Sequence, residues 1–82
     1  MKILYFAWLR EKVGVPYEEK DVKAFTVKDL IQELVQADEK YAIAFSDLKS
    51  IRVAVDQKLV QDFATSIKNA NEIAFFPPMT GG

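Results

Sequence analysis

The chain has 82 residues, half of them hydrophobic and 28% charged, which is the balance of one small globular domain with no room for a second core. Eleven basic residues against twelve acidic ones leave a net charge of −1, so there is no basic footprint for holding a nucleic acid backbone. The absence of cysteine and histidine removes thiol nucleophiles, disulfides, Ser/His/Asp triads and Cys/His zinc sites together.

The apolar opening run, Met1 to Leu9, is too short for a secretion signal with its cleavage site and far below a membrane span, so a cytoplasmic protein without a membrane partner is expected. Residues 2–8 are rich in aromatic and β-branched types without a breaker and predict a first strand. Residues 9–13 predict a short helical turn, ended by Gly14 in the left-handed conformation. Pro16 restarts the chain, and residues 17–22 read as a charged strand suited to a sheet edge.

The main helix starts at Thr26, where Thr26 and Asp29 have the spacing of a capping box and Phe25 is placed to staple onto Leu30. Val27, Leu30, Ile31, Leu34 and Val35 then follow the spacing of one apolar helix face. A shorter helical piece over 38–46 puts Tyr41, Ala44 and Phe45 on one side. Ile51, Val53 and Val55 alternate with Arg52 and Ala54, and Asp56-Gln57-Lys58 turns this strand into Leu59-Val60 as a hairpin. Residues 61–71 suit a loop, and residues 72–76 form a last strand stopped by Pro77 and Pro78.

These elements make an α+β domain, a mixed sheet packed on one main helix, which is the ubiquitin-like β-grasp arrangement. The domain is expected over residues 1–77, with residues 78–82 as a flexible tail. A ferredoxin-like split βαβ would require a stronger second helix than residues 38–46 supply. One main helix covers one sheet face, so a self-sufficient monomer should be polar on the other. Here Ile3 and Tyr5 alternate with Leu4, Phe6 and Trp8, and Ile73 and Phe75 alternate with Ala74 and Phe76. With Ile3 and Ile73 on the helix, Phe6 and Phe76 point away from it, joined by Leu59. Such a surface marks a binding site unless the chain's own loops cover it.

The tail Pro77-Pro78-Met79-Thr80-Gly81-Gly82 cannot continue a strand, and its last four residues reach roughly 13 Å. Ordering them on a partner costs on the order of 4–8 kcal/mol, which burial of one or two neighbouring phenylalanines at ~1.5–3 kcal/mol each offsets in large part. Two terminal glycines let a channel close around bare backbone and bring the Gly82 carboxylate to a reactive centre unhindered. For the dipeptide alone, a frayed terminus is the default reading.

The segment from Glu72 to Gly82 closely resembles the C-terminus of the ubiquitin-like sulfur carriers that form the small subunits of molybdopterin synthases. The opening Leu4 to Glu11 and the hairpin Ala54 to Val60 are similar to that family too, in the same order along the chain, while residues 17–25 and 61–71 match loosely. The resemblance implies that Gly82 is adenylated by a ubiquitin-activating-type adenylyltransferase using ATP, then converted by a sulfur donor to a thiocarboxylate. It implies further that the sulfur passes to cyclic pyranopterin monophosphate in an assembly of two large and two small subunits. Phe6, Leu59 and Phe76 match the family's docking patch, and Pro77, Pro78, Met79, Thr80 and Gly81 the segment that threads the partner. The chain itself is expected to bind no cofactor or metal and to contribute no catalytic side chain. A carrier for thiamin thiazole or another thiolation pathway and a ubiquitin-like protein modifier are the competing readings.

Overall fold

The computed structural model describes residues 1–78. The first strand, β1 (Lys2–Tyr5), leads into α1 (Ala7–Val13), β2 (Tyr17–Glu19), α2 (Val27–Ala37) and α3 (Glu39–Ala44). A 3-10 turn at Leu48–Ser50 then precedes β3 (Arg52–Val55), β4 (Lys58–Val60) and β5 (Glu72–Phe76). The five strands lie in the order β2-β1-β5-β3-β4, with β1 and β5 parallel and every other neighbouring pair antiparallel. This is the mixed, helix-backed sheet that the pattern predicts.

The first strand is shorter than its composition implies. It ends at Tyr5, and Phe6 donates a last backbone bond to the Phe75 carbonyl at 3.1 Å. Ala7 then takes a positive φ of 53°, which swings the chain out of the sheet and starts α1 two residues ahead of Leu9. Trp8 is therefore a helical residue packed on the core edge, not the end of a strand. Gly14 closes α1 as expected: at φ 96° its N–H donates to the Arg10 carbonyl at 2.8 Å, a conformation that suits a residue without Cβ.

At the start of α2 the Thr26 hydroxyl accepts from the Asp29 N–H at 3.1 Å, so half of the capping box forms. The side chain of Asp29, shorter than the glutamate that usually closes such a box, makes no return bond among the described residues. The 61–71 loop supplies acceptors to the next two donors. Val27 N–H reaches the Thr65 carbonyl at 3.2 Å and Lys28 N–H the Phe63 carbonyl at 2.9 Å, satisfying first-turn donors that have no partner inside the helix. Phe25 remains 66% exposed, so the staple onto Leu30 is not closed. Asp38 ends α2 and also caps α3, its carboxylate accepting from Lys40 N–H at 2.9 Å.

The core lies between α2 and one sheet face. Val27, Leu30, Ile31 and Leu34 are buried with Ile3, Tyr5, Val53, Ile73 and Phe75, and Leu9, Val13, Tyr41 and Phe45 close the sides. The Phe45 ring stands edge-on to Phe75 at 4.9 Å between centroids, and each such buried side chain contributes roughly 1.5–3 kcal/mol. The β3–β4 turn has two central residues of positive φ, Asp56 at 49° and Gln57 at 71°, the twist that a two-residue hairpin favours. The Asp56 carboxylate accepts from the N–H groups of Asn71 and Glu72, both at 2.9 Å, tying the hairpin to the start of β5. No described helix is long and apolar enough to cross a membrane.

Candidate functional site

Strand register builds the face away from the helices. Leu4 is opposite Tyr17 on β2 and Ala74 on β5, and Ala54 on β3 is opposite Ala74 and Leu59. Side chains opposite one another share a face. Tyr17, Leu4, Ala74, Ala54 and Leu59 therefore form one apolar row across all five strands, shallow at its two alanines. One rung further along, Phe76 is opposite Arg52, and Phe6 continues the parity of Leu4 beyond the end of β1. At the other end of the sheet Lys2 is opposite Glu19 and Glu72, so the apolar zone is bounded by charge.

Phe6 is 47% and Leu59 60% exposed, whereas Phe76 is half-buried. Pro77 and Pro78 follow β5 directly and are half-buried as well. The expected patch residues thus stand on one face, Phe6 and Phe76 at the end where β5 gives way to the tail, and Leu59 beyond β3 from β5. Met79, Thr80, Gly81 and Gly82, to which the expected reactive end belongs, lie outside the described residues. Tyr17 is a part of this surface that composition alone does not flag: it reads as one residue of a charged edge. Its register opposite Leu4 places it in the row, where the Lys2 ammonium sits 4.9 Å from its ring centre.

The opposite face carries the titratable cluster of the interior. Glu18 on β2 points inward, and one of its carboxylate oxygens accepts from the hydroxyls of Tyr5 at 2.8 Å and Tyr41 at 2.5 Å. Burial, reinforced by the Glu18 charge, pushes both phenols well above the usual tyrosine range, because an ionised phenolate there would be desolvated beside a carboxylate. Both therefore stay protonated and act as donors. This cluster joins the edge strand to α3; it faces the core and not the apolar row. Among the described residues no His, Cys, Asp or Glu group has the arrangement to hold a metal. Among the described residues the open face combines aromatic and aliphatic surface with charges at its margin.

Comparison with known proteins gives a consistent result. The ThiS family matches residues 3–82. The chain is 39% identical to the molybdopterin synthase sulfur carrier subunit of Escherichia coli K12, over all of this chain and 99% of that one. Among solved structures it is similar to SAMP1 from Haloferax volcanii, with a TM-score of 0.73 and 26% identity over 100% of this chain and 98% of that one. It also shares its fold with a chain in the complex of subunits 1 and 2 of molybdopterin-converting factor from Helicobacter pylori. There the TM-score is 0.59 at 23% identity, covering 99% and 96% of the two chains.

Proposed function

The chain belongs to the ThiS family, and on that footing we propose that it is the sulfur carrier subunit of a molybdopterin synthase, loaded and discharged at Gly82. The observation that carries the reading is the apolar row that runs out to Phe6 and Phe76 where β5 passes into Pro77 and Pro78. A docking surface is thereby continuous in sequence with a segment ending Gly81-Gly82.

In this reading an adenylyltransferase of the ubiquitin-activating type binds Phe6, Leu59 and Phe76 and receives the tail. A Gly82 carboxylate oxygen attacks the α-phosphate of ATP, pyrophosphate leaves, and an acyl adenylate forms. The outer sulfur of a donor persulfide attacks the acyl carbon and AMP departs, giving an acyl disulfide; a second thiol of the donor system then attacks its S–S bond, releasing the thiocarboxylate and leaving the donor as a disulfide. The nucleotide belongs to the activating enzyme, and this chain supplies the acyl group and the surface that positions it. On the synthase large subunit the same end donates its sulfur to cyclic pyranopterin monophosphate. Two such transfers give the dithiolene, and the basic catalytic groups belong to the large subunit. The absence of a side chain at Gly81 and Gly82 permits the narrow approach that both partners require.

Intact mass spectrometry tests the proposal. The chain is incubated with the matching activating enzyme, ATP and a sulfur donor, and one oxygen-for-sulfur exchange localised to Gly82 is expected. An unchanged mass under conditions that load a known carrier overturns it. Binding to a thiazole synthase in place of the synthase large subunit reassigns the pathway, and lysine-linked conjugates without a thiocarboxylate form reassign the chemistry.

A further inference from the structure

The open face has relief. Its central rung is shallow over β5 and β3, where Ala74 and Ala54 stand opposite each other and present only methyl groups. Leu4 and Tyr17 rise on one side of this recess and Leu59 on the other. One rung nearer the tail, on the same parity, the Phe76 ring stands directly beside the recess, with Phe6 next to it on the continuation of β1. Alternate residues of a strand are about 7 Å apart, so a bulky aromatic rung and an apolar recess adjoin on one surface.

That arrangement is complementary to itself. A two-fold axis lying across the strands, midway between the two rungs, turns a second copy face down with its β5 antiparallel to the first. Phe76 of each copy then enters the recess at Ala54 and Ala74 of the other, and Phe6 meets Leu4 of the other, every contact occurring twice as a closed interface requires. Charge selects the same orientation. Arg52 shares the rung of Phe76, and Glu72 lies one rung beyond Ala74 on the same parity; neither forms an ion pair among the described residues. The rotation brings Arg52 within side-chain reach of Glu72 of the second copy. An axis along the strands would instead set recess on recess and the Arg52 rungs on each other.

We propose that the free chain pairs with a second copy of itself through this face, Phe76 seated in the recess at Ala54 and Ala74, as a two-fold dimer. Five strands at ~4.8 Å and two rungs give an apolar contact on the order of 300–400 Å², well below the roughly 800 Å² per partner of stable complexes. The pair is therefore weak and yields to a protein that buries more. It covers Phe6 and Phe76, so on the sulfur carrier reading it shields the docking face between partners; the pairing itself does not depend on that reading.

Sedimentation equilibrium of the full chain alone, from micromolar to millimolar concentration, tests the proposal. A reversible association that stops at two copies is expected. Ala54→Leu fills the recess and should weaken it about fivefold or more, whereas on a face that is merely adhesive the added apolar area would strengthen it. Arg52→Glu should weaken it about threefold or more, and Glu72→Arg in the same chain should restore it, because reversing both partners keeps the pair. This charge exchange reads the same orientation if Ala54→Leu fails to fold. A chain that stays monomeric throughout, open-ended association, tighter pairing of Ala54→Leu, or an Arg52→Glu loss that Glu72→Arg does not restore overturns the proposal.

Discussion

On one face of the sheet Ile3, Tyr5, Ile73 and Phe75 are sealed beneath α2. On the other, Tyr17, Phe6 and Leu59, each about half-exposed or more, form an apolar surface with Leu4, Ala74 and Ala54 that none of the described helices covers. The two faces are built from the same five strands, yet only one is used to hold the fold together. Burial converts apolar area into stability; left in water, the same area is available to be buried against something else. The difference separates residues that keep the body folded from residues free to serve a partner.

The sharpest way to break that division is to truncate the covered face. Phe75→Ala should cost about 3–5 kcal/mol through lost burial and a residual cavity, read from urea denaturation. A value below about 1 kcal/mol would mean that the core is not where the burial places it. Glu18→Ala comes next: it removes the carboxylate to which two buried hydroxyls donate and should cost about 1–3 kcal/mol.

The same cluster fixes the alkaline limit of stability. Tyr5 and Tyr41 are held above their unfolded value of 10.0, so their contribution is fully present below about pH 10. As pH rises further, the unfolded chain ionises first and stability falls, by up to about 1.4 kcal/mol per pH unit for each tyrosine. Denaturation midpoints of wild type and Tyr41→Phe between pH 8 and 11, on the order of the range over which phenols titrate, should converge as pH increases.

On the open face the expectation reverses. Phe6→Ala and Leu59→Ala should change stability by less than about 1 kcal/mol while weakening partner binding roughly tenfold or more, as aromatic and apolar anchors of an interface do. A large loss of stability at either position would erase the contrast between the faces. The smallest effect is expected where the chain leaves the sheet. Ala7→Gly relieves a left-handed alanine but adds freedom to the unfolded chain, so the net change should stay within about 1 kcal/mol.

The elements whose signals are local were readable in the sequence. The period of Val27 to Leu34 and the hydroxyl of Thr26 give α2, Gly14 gives the end of α1, and the alternation around Ala54 gives the hairpin. The parity of Leu4 and Phe6 also separates the two faces. The end of β1 was not readable, because residues 2–8 are apolar on both parities and the turn is made by a backbone angle at Ala7 that its side chain does not advertise. Glu18 looks like one more charge on an edge strand; its inward role follows only from the register of β2 on β1 and from two tyrosines that need an acceptor.

The position of β5 has a consequence for synthesis of the protein. This strand comes late in the chain yet lies in the middle of the sheet, between β1 and β3, with Lys2 paired to Glu72. On the ribosome, β1 and β3 have no shared neighbour until residues 72–76 have left the exit tunnel, so the sheet closes only after nearly everything else has been translated. Such distant pairing makes folding slower than in a helical bundle of the same size. It also orders events: a product truncated before residue 72 lacks both the strand that completes the sheet and the Gly81-Gly82 segment.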